Sequence, residues 1–307
     1  MTRAAFHQSQ DQPSNPAHTS SQGRQGTTTM RHKTDIPELV ILPADALVLH
    51  EEVDGRRVEP LVERLRSEGV LKNPPVAVPV ESSAGCEPAR YVILDGANRT
   101  TALWRLGVPH HLVQVVNYRD VELDTWGHLV TGIAHEVFTQ SMAKAGLQLD
   151  LTTRQGARER LARREIAASI ARPDGDVFAL TGPTPETQAL HRLTSVYNGQ
   201  SIIHRVTTDE LADLLPYHDK VAALIRFPRY TPDEILHLAS NGDKLPTGIT
   251  RHVIPGRALR VNLPLSVLVD GGRTTEQKNE WLRAWVTHKL ARRELRYYQE
   301  STFLFDE

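Results

Sequence analysis

Apolar residues in the first part of the chain recur at spacings that alternate between helix and strand. Val58, Leu61, Val62 and Leu65 lie three or four residues apart with charged residues between them, which predicts an amphipathic helix over 56–67. Gly69 follows at a position where glycine commonly ends a helix. Strands are predicted at 40–42, 76–80, 91–94, 111–116 and 121–130, and another helix at 98–106. Because helices and strands alternate closely, this part is predicted to form a compact α/β or α+β unit.

Mixed elements continue through the second part of the chain. The pattern predicts helices at 133–145, 154–166, 186–197 and 274–295, and strands at 177–180 and 201–206. Thr231 followed by Pro232 indicates a further helix start, because Thr is a good N-cap and Pro is favoured at the first helical position. The end, 296–305, is β-prone. The buried face of the last helix is predicted to consist of Trp281, Leu282, Trp285, Val286 and Leu290.

Residues 1–33 are rich in Gln, Ser, Thr and Pro and contain almost nothing to bury. Such a segment cannot offset its conformational entropy by burial, so a disordered tail is predicted, with a partner-binding arm as the alternative. Order is expected to begin near Ile36.

The composition excludes several classes of protein. Of 307 residues, 39% are hydrophobic and 24% charged, so a packed core is expected and disorder throughout is excluded. The net charge of −1 excludes a strongly basic nucleic-acid-binding coat, although not a local basic patch. The single cysteine, Cys86, excludes a disulfide scaffold and a multi-cysteine metal site. Neither a membrane span nor a signal peptide is evident, so a cytoplasmic location is expected.

The most informative segment is VILDGANRTTAL at 92–103, where a buried strand ends in an Asp-Gly turn that leads directly into a helix. Free N–H groups and the positive end of the helix dipole favour an anion at such a helix start. Arg99 can add a planar fork for phosphate and Thr100 a hydroxyl, while Asp95 can hold Mg²⁺ bridged to that phosphate. The alternative is a plain Asp-Gly turn that only starts the helix.

The Asp-Gly-x-x-Arg turn, followed by an Ala-Leu helix that ends in Leu-Gly, resembles the signature of the ParB/sulfiredoxin superfamily. In that superfamily the turn binds nucleotide phosphates, and the resemblance implies an α/β (α+β) fold. Sulfiredoxins place a catalytic cysteine in this loop, where this chain has Ala97 and Asn98, so sulfiredoxin activity is not expected. Chromosome-partitioning ParB proteins carry Gly-Glu-Arg-Arg here and then a helix-turn-helix domain, and neither feature is evident.

A closer resemblance is to the free-serine kinases of this superfamily, which use ATP or ADP. Leu49-His50-Glu51, the Asp95–Arg99 turn and the TRHVIP segment at 250–255 resemble three family motifs in the family's order, and Thr125-Trp126 is a weaker fourth. The resemblance extends over about 36–270. It implies a ParB/sulfiredoxin-like nucleotide-binding domain over 34–135 and a mixed α/β C-terminal domain over 136–307 that closes the substrate site.

The resemblance also implies roles for individual residues. Glu51 would accept the proton of the serine hydroxyl, with Glu52 as the adjacent fallback, and Asp95 would be a Mg²⁺ ligand or a second catalytic acid. The residues expected to bind the nucleotide phosphates are Gly96, Ala97, Asn98, Arg99 and Thr100. Those expected to bind serine are His50, Trp126, Thr250, Arg251 and His252. Ala97 and Asn98 replace two histidines often found in the family.

Alternatives to these roles remain open at the level of sequence. Arg251 suits a carboxylate or the product phosphate, but Arg251 and His252 are also compatible with a simple strand-edge pair. Trp126 is either a wall of the pocket or core. The product would be O-phospho-L-serine, for a siderophore-type pathway by resemblance, and either ATP or ADP would be the donor.

A nucleotide-responsive DNA-binding regulator is the competing hypothesis, and a nucleotide switch without catalysis is a third. The support for DNA binding is the arginine-rich stretch over 154–172, which is otherwise a solvated helix with internal ion pairs. DNA binding is not favoured and no membrane partner is expected. A homodimer is left open.

Overall fold

The computed structural model describes residues 36–80, 90–182 and 184–298. Every described residue belongs to one compact unit. The predicted tail and Cys86 lie outside the described residues.

The described chain alternates helices and strands, and it contains strands that the sequence pattern did not predict, among them β9, β10 and β13 of the second sheet. The strands are β1 (Glu38–Pro43), β2 (Leu47–Leu49), β3 (Val70–Leu71), β4 (Val76–Val80), β5 (Arg90–Asp95), β6 (His110–Val115), β7 (Glu122–Thr125), β8 (Gly127–Thr131), β9 (Gln148–Thr152), β10 (Ala168–Ala171), β11 (Val177–Thr181), β12 (Ile202–Val206), β13 (Val221–Arg226), β14 (Thr250–Val253) and β15 (Leu263–Pro264). The helices are α1 (Gly55–Glu68), α2 (Ala97–Arg105), α3 (His135–Lys144), α4 (Arg154–Ala162), α5 (Glu186–Tyr197), α6 (Leu211–Leu214), α7 (Pro232–Ser240), α8 (Leu265–Val269) and α9 (Thr275–Ala291).

The first sheet has the strand order β1-β6-β4-β5-β2 and mixes parallel and antiparallel pairs. Its strands alternate their side chains between two faces, so Ile41 of β1 and Leu112 of β6 enter one core cluster while Leu42 and Val113 enter another. The first of these clusters also contains buried residues of α1, α2, α8 and α9. The first sheet is therefore covered on that face by helices from both ends of the described chain.

Helix α9 packs on the first sheet although it lies near the end of the described chain. The side chain of Asn279 accepts a hydrogen bond from Ile41 N–H and donates one to Ile41 O, both at 2.8 Å. Leu282 is buried, as predicted, whereas Leu290 is 37% exposed, so the prediction that Leu290 lies on the buried face is wrong. The reason is that Leu290 lies in the last turn of the helix, two residues before its C-cap at Arg292.

The second sheet is antiparallel throughout, in the order β12-β8-β13-β10-β11-β9. Strand β8, which lies between the edge strand β12 and β13, is buried at every position, as suits a strand covered on both faces. Its core includes Phe138 of α3 and Leu190, Leu193 and Tyr197 of α5. The predicted domain division at residue 135 stays a prediction, and the second sheet begins with β8 at Gly127.

Several predicted elements differ from the observed ones. The single strand predicted over 121–130 is two strands, β7 and β8, which belong to different sheets. The predicted helices 154–166 and 274–295 end earlier, and an arginine with positive φ follows each one, Arg164 at 59° and Arg293 at 57°. The β-prone end is not a strand over 296–298, and 299–305 lies outside the described residues.

Other local predictions are confirmed. Helix α5 has the predicted bounds, and Gly69 ends α1 in the left-handed conformation at φ 66°. Thr231 forms a capping box with Glu234 at the start of α7. Among the described helices, none has both the length and the apolar character needed to cross a bilayer.

Candidate active site

A cleft of about 570 Å³ lies where the three sequence motifs meet. Its lining includes the predicted site residues His50, Glu51, Asp95, Gly96, Ala97, Asn98, Arg99, Trp126, Thr250, Arg251 and His252. Thr100 is the predicted site residue that is absent from this lining.

Strand pairing explains why distant motifs share this cleft. Strands β2 and β5 run parallel with Leu49 opposite Ile93, so the residues that follow the two strands emerge at the same edge of the sheet. Strand β14 pairs with β7, which sets Thr250 opposite Thr125, and an isolated bridge joins Glu51 to Leu245. Residues almost 200 positions apart therefore become neighbours.

Glu51 is held by three hydrogen bonds from neutral donors. Its Oε2 accepts from Gly248 N–H at 2.8 Å, and its Oε1 accepts from Thr250 N–H at 2.6 Å. Oε1 also lies 2.5 Å from the hydroxyl of Thr250. Gly248 has φ +78°, a backbone conformation that favours glycine, and an added Cβ would also displace the guanidinium of Arg205. The carboxylate is thus fixed in a defined orientation at the cleft.

His50 lies behind Glu51 and is only 3% exposed. Its Nδ1 is 2.7 Å from the carbonyl oxygen of Ile93, and its Nε2 is 2.8 Å from Thr250 Oγ1. Burial lowers the pKa of His50 below its usual value, against the opposing influence of Glu51. Because both ring nitrogens already have protein partners, the structure does not offer His50 as the direct serine ligand that the resemblance implied.

Asp95 binds two arginines through a single oxygen. Its Oδ2 is 2.9 Å from Arg99 Nη2 and 2.8 Å from Arg257 Nη2. Burial alone would raise the pKa of Asp95, but Arg257 and Arg99 outweigh it and hold that pKa below its usual value. Asp95 therefore stays ionised and fixes two guanidinium groups at the cleft. Arg257 is not part of the sequence motifs, although it lies two residues beyond the TRHVIP segment.

The turn after Asp95 has a geometry that only glycine allows. Gly96 has φ +96°, and an added Cβ would lie 2.9 Å from the Cα of Pro75. Asn98 accepts a hydrogen bond from Asp54 N–H at 3.1 Å through Oδ1, which leaves its amide nitrogen for a ligand. Thr100 is fully buried and donates to Gly96 O at 3.1 Å, so its hydroxyl serves the helix backbone and lies apart from the cleft.

The third motif forms β14 and supplies side chains to the opposite wall. The guanidinium of Arg251 lies over the ring of Trp126 at 5.0 Å and 3.8 Å from Asp124 Oδ2. Trp126 is half-buried, and its backbone N–H donates to Ile249 O at 2.8 Å. Trp126 and Arg251 therefore border the cleft as a stacked pair.

His252 is held as a neutral ring. The Tyr118 hydroxyl lies 2.8 Å from its Nε2. Burial lowers the pKa of His252 to about 3, against the opposing influence of Asp95 and the Leu94 backbone. To donate to a ligand through Nε2, His252 would have to give up its contact with Tyr118.

Most of the remaining polar lining is basic. Sequence reasoning did not single out Arg57, Arg64, Lys72 or Arg205, which all line the cleft. Arg205 is exposed and has no ion pair with any described residue. Together with Arg99, Arg251 and Arg257, these side chains make the cleft suited to a ligand with several negative charges.

The chain matches no protein-family profile. It is 24% identical over 274 residues to the ATP-dependent L-serine kinase SbnI of Staphylococcus aureus, which covers 88% of this chain and 97% of that protein. It is 26% identical over 249 residues to an ATP-dependent L-serine kinase of Staphylothermus marinus (77% and 95% covered). With the ADP-dependent L-serine kinase SerK of Thermococcus kodakarensis it shares 23% identity over 246 residues (77% and 97% covered).

Two solved structures share the fold of this chain. SbnI with a C-terminal truncation aligns with a TM-score of 0.63 at 22% identity, covering 83% of this chain and 96% of that one. A free serine kinase in complex with AMP aligns with a TM-score of 0.65 at 21% identity, covering 76% and 95%. The predicted resemblance to the free-serine kinases is confirmed. The mixed α/β fold class is confirmed as well.

Proposed function

We propose that this protein is a kinase that transfers a phosphoryl group from ATP or ADP to the hydroxyl of free L-serine, forming O-phospho-L-serine. The observation that carries the proposal is the joint presence, in one cleft, of a fixed Glu51 carboxylate and of two arginines fixed by Asp95. The similarity to curated L-serine kinases over at least 77% of the chain supports the substrate and the donor.

Glu51 would act as the general base. A serine hydroxyl is a poor nucleophile, so its proton must leave as its oxygen bonds to phosphorus. The hydrogen bonds from Gly248 and Thr250 hold the Glu51 carboxylate in place, which lowers the cost of orienting it during the reaction. Glu52, the alternative base, is exposed and has its Oε2 3.4 Å from His191 Nδ1.

Arg99, Arg257 and the start of α2 would bind the transferred phosphate. Guanidinium groups match phosphate oxygens in geometry and charge, and free N–H groups at a helix start add further donors. Because Asp95 holds both arginines before the nucleotide binds, they need little reorganisation when negative charge shifts during transfer. Asn98 can contribute its amide nitrogen.

Asp95 also fits a role in holding Mg²⁺. Its Oδ2 is occupied by the two arginines, while its Oδ1 has no hydrogen-bond partner among the described residues. Mg²⁺ is commonly bound by one or two carboxylates together with substrate phosphates, so Asp95 Oδ1 and the nucleotide would suffice. Bound there, Mg²⁺ would neutralise charge on the phosphates.

Arg251 and Trp126 would bind the serine. The carboxylate of the amino acid suits a guanidinium, and the stacking of Arg251 on Trp126 limits the positions that its guanidinium can adopt. Arg205 adds a second guanidinium to the cleft lining. Thr250 would act through Glu51, because both its N–H and its hydroxyl lie against that carboxylate.

The competing DNA-binding hypothesis gains no support. The arginines of the 154–172 stretch are largely engaged with acids: Arg154 and Arg158 with Glu210, Arg160 with Asp150, Arg163 with Glu165, Arg164 with Glu186, and Arg172 with Asp174. Such pairing reduces the charge available to DNA phosphates. The siderophore-type pathway, the cytoplasmic location and the homodimer stay predictions.

The test is direct. Purified protein is incubated with L-serine, Mg²⁺ and either ATP or ADP, and O-phosphoserine is measured by mass spectrometry. We expect product with at least one nucleotide, and none when L-serine is replaced by ethanolamine, which lacks the carboxylate. Failure to form O-phosphoserine with both nucleotides would refute the kinase proposal.

A further inference from the structure

Thr250 contacts both Glu51 and His50, so the three side chains form a continuous chain of hydrogen-bonding atoms. Thr250 Oγ1 is 2.5 Å from Glu51 Oε1 and 2.8 Å from His50 Nε2. At the far end, His50 Nδ1 is 2.7 Å from the carbonyl oxygen of Ile93. His50 and Thr250 are 3% and 8% exposed, so these contacts are largely shielded from solvent.

The hydrogens available cannot satisfy all of these contacts at once. The carbonyl of Ile93 can only accept, so His50 Nδ1 carries a hydrogen. Burial lowers the pKa of His50, which favours the neutral ring and leaves Nε2 with only a lone pair. Thr250 has one hydroxyl hydrogen but faces two acceptors, His50 Nε2 and the ionised carboxylate of Glu51. One of the two contacts therefore lacks a hydrogen.

A single added proton satisfies both contacts. With the proton on Glu51 Oε1, the carboxyl donates to Thr250 Oγ1 and the Thr250 hydroxyl donates to His50 Nε2. With the proton on His50 Nε2, both hydrogen bonds run the other way. The two arrangements differ only in the positions of hydrogens along the chain, so the proton can move between its ends without movement of heavy atoms.

We propose that Thr250 and His50 form a proton relay behind Glu51; this inference rests on the proposed kinase function. During transfer, the serine oxygen bonds to phosphorus as the bond from phosphorus to the leaving nucleotide oxygen breaks. The serine O–H bond breaks, its proton goes to Glu51 Oε1, and the proton is then shared with His50 Nε2 through Thr250 Oγ1. After the product leaves, the proton returns to solvent through Glu51. Thr250 and His50 are thus positioning residues that act through Glu51.

The charged and titratable groups around His50 fit this role. Burial opposes a charged His50, whereas Glu51 and Asp95 favour it. These opposing effects reduce the energy difference between a proton on Glu51 and one on His50. The ring of His252, 5.3 Å away between centroids, is kept neutral by burial and adds no competing positive charge.

The tautomer of His50 is the first test, and it needs no turnover. Nitrogen-15 NMR of the histidine rings in the full chain, with His50→Gln to assign the signal, is expected to show the hydrogen on Nδ1 at neutral pH. A neutral ring with its hydrogen on Nε2 would donate to Thr250, which would in turn donate to Glu51. No contact between these side chains would then lack a hydrogen, and the relay would be overturned.

The second test counts the protons that move during the reaction. Single-turnover rates are measured with enzyme in excess over nucleotide, in mixtures of H₂O and D₂O. Wild type and Thr250→Ser, which keeps a hydroxyl, are expected to give a curved dependence on deuterium fraction. Thr250→Val is expected to give a straight line and a rate lower by about tenfold or more, with KM for serine and nucleotide unchanged. The matched control, Thr131→Val, removes another buried hydroxyl outside the cleft and should match wild type.

The outcomes distinguish the proton relay from two simpler cases, in which Thr250 only orients Glu51 or only one proton moves. A slower Thr250→Val that keeps the wild-type curvature would mean that Thr250 only orients Glu51, and a straight line for wild type would mean that one proton moves. Either result overturns the relay. If wild type forms no O-phosphoserine with either nucleotide, the kinase function itself fails, and the relay fails with it, whatever the His50 tautomer.

Discussion

The cleft contains two acidic side chains that differ in the charge of their partners. Glu51 accepts hydrogen bonds from neutral donors, the backbone of Gly248 and the backbone and hydroxyl of Thr250. Asp95 is paired with two guanidinium groups instead. Cationic partners stabilise a carboxylate more strongly than neutral donors do. Glu51 is therefore suited to take up and release a proton, whereas Asp95 is suited to keep its charge and hold cations in place.

The largest loss of turnover is expected for Glu51→Gln, because an amide of the same shape cannot accept the serine proton. We expect kcat to fall by about 10²–10⁴-fold, with nucleotide affinity nearly unchanged. Turnover is measured as O-phosphoserine formation and affinity by titration calorimetry. Glu52→Gln is the matched control and should retain activity. Loss of activity in Glu52→Gln but not in Glu51→Gln would assign the base to Glu52.

Asp95→Asn should weaken nucleotide binding as well as slow turnover, because it removes the charge that fixes Arg99 and Arg257. Losing charged hydrogen bonds of about 1.5–3 kcal/mol corresponds to nucleotide affinity lower by about 10–100-fold. Calorimetry measures this loss. A variant that binds nucleotide normally but turns over slowly would show that Asp95 does not act by supporting the arginines.

The same variant gives a pH dependence of stability. Because the pKa of Asp95 is lowered by folding, its contribution to stability is present above the unfolded pKa and is lost as pH falls through the folded pKa. Wild type should therefore lose more Tm on acidification than Asp95→Asn, as measured by scanning calorimetry. Parallel Tm curves would contradict the ion-paired state of Asp95.

Gly248→Ala tests the neutral cradle of Glu51. The added Cβ meets Arg205, and the positive φ adds backbone strain, so we expect a loss of about 1–3 kcal/mol in the free energy of unfolding and a lower kcat. Gly256→Ala is the matched control, because Gly256 also has positive φ but has nothing within 4 Å of the added Cβ. Equal losses of kcat in the two variants would mean that the loss in Gly248→Ala does not come from the Gly248 N–H contact with Glu51.

Arg257→Gln should have the smallest effect, since Arg99 remains on Asp95. We expect nucleotide affinity to fall by about tenfold, with little change in KM for serine. Arg273→Gln, which removes an arginine from a surface pair with Asp270, is the control and should leave nucleotide affinity unchanged. An unchanged affinity in Arg257→Gln would exclude Arg257 from the phosphate site.

Features that depend on neighbouring positions were predictable from the sequence. Helix α5 has both predicted ends, and Thr231 caps the start of α7 as expected. The turn at Asp95–Gly96 was identified because strand, turn and helix follow one another directly along the chain. Local spacing did not indicate the partner of Thr100. This residue follows the turn at a position suited to a phosphate ligand, but its hydroxyl donates to Gly96 O.

The sequence by itself determined the alternation of elements, the motif residues and the likeness to free-serine kinases. Only the tertiary structure decided that His50 lies behind Thr250, that Arg257 shares Asp95 with Arg99, and that Glu51 accepts a hydrogen bond from a backbone 199 residues away. The physical reason is that helix and turn formation depends on residues a few positions apart. The partners of a side chain in a cleft depend instead on which strands pair across the whole chain.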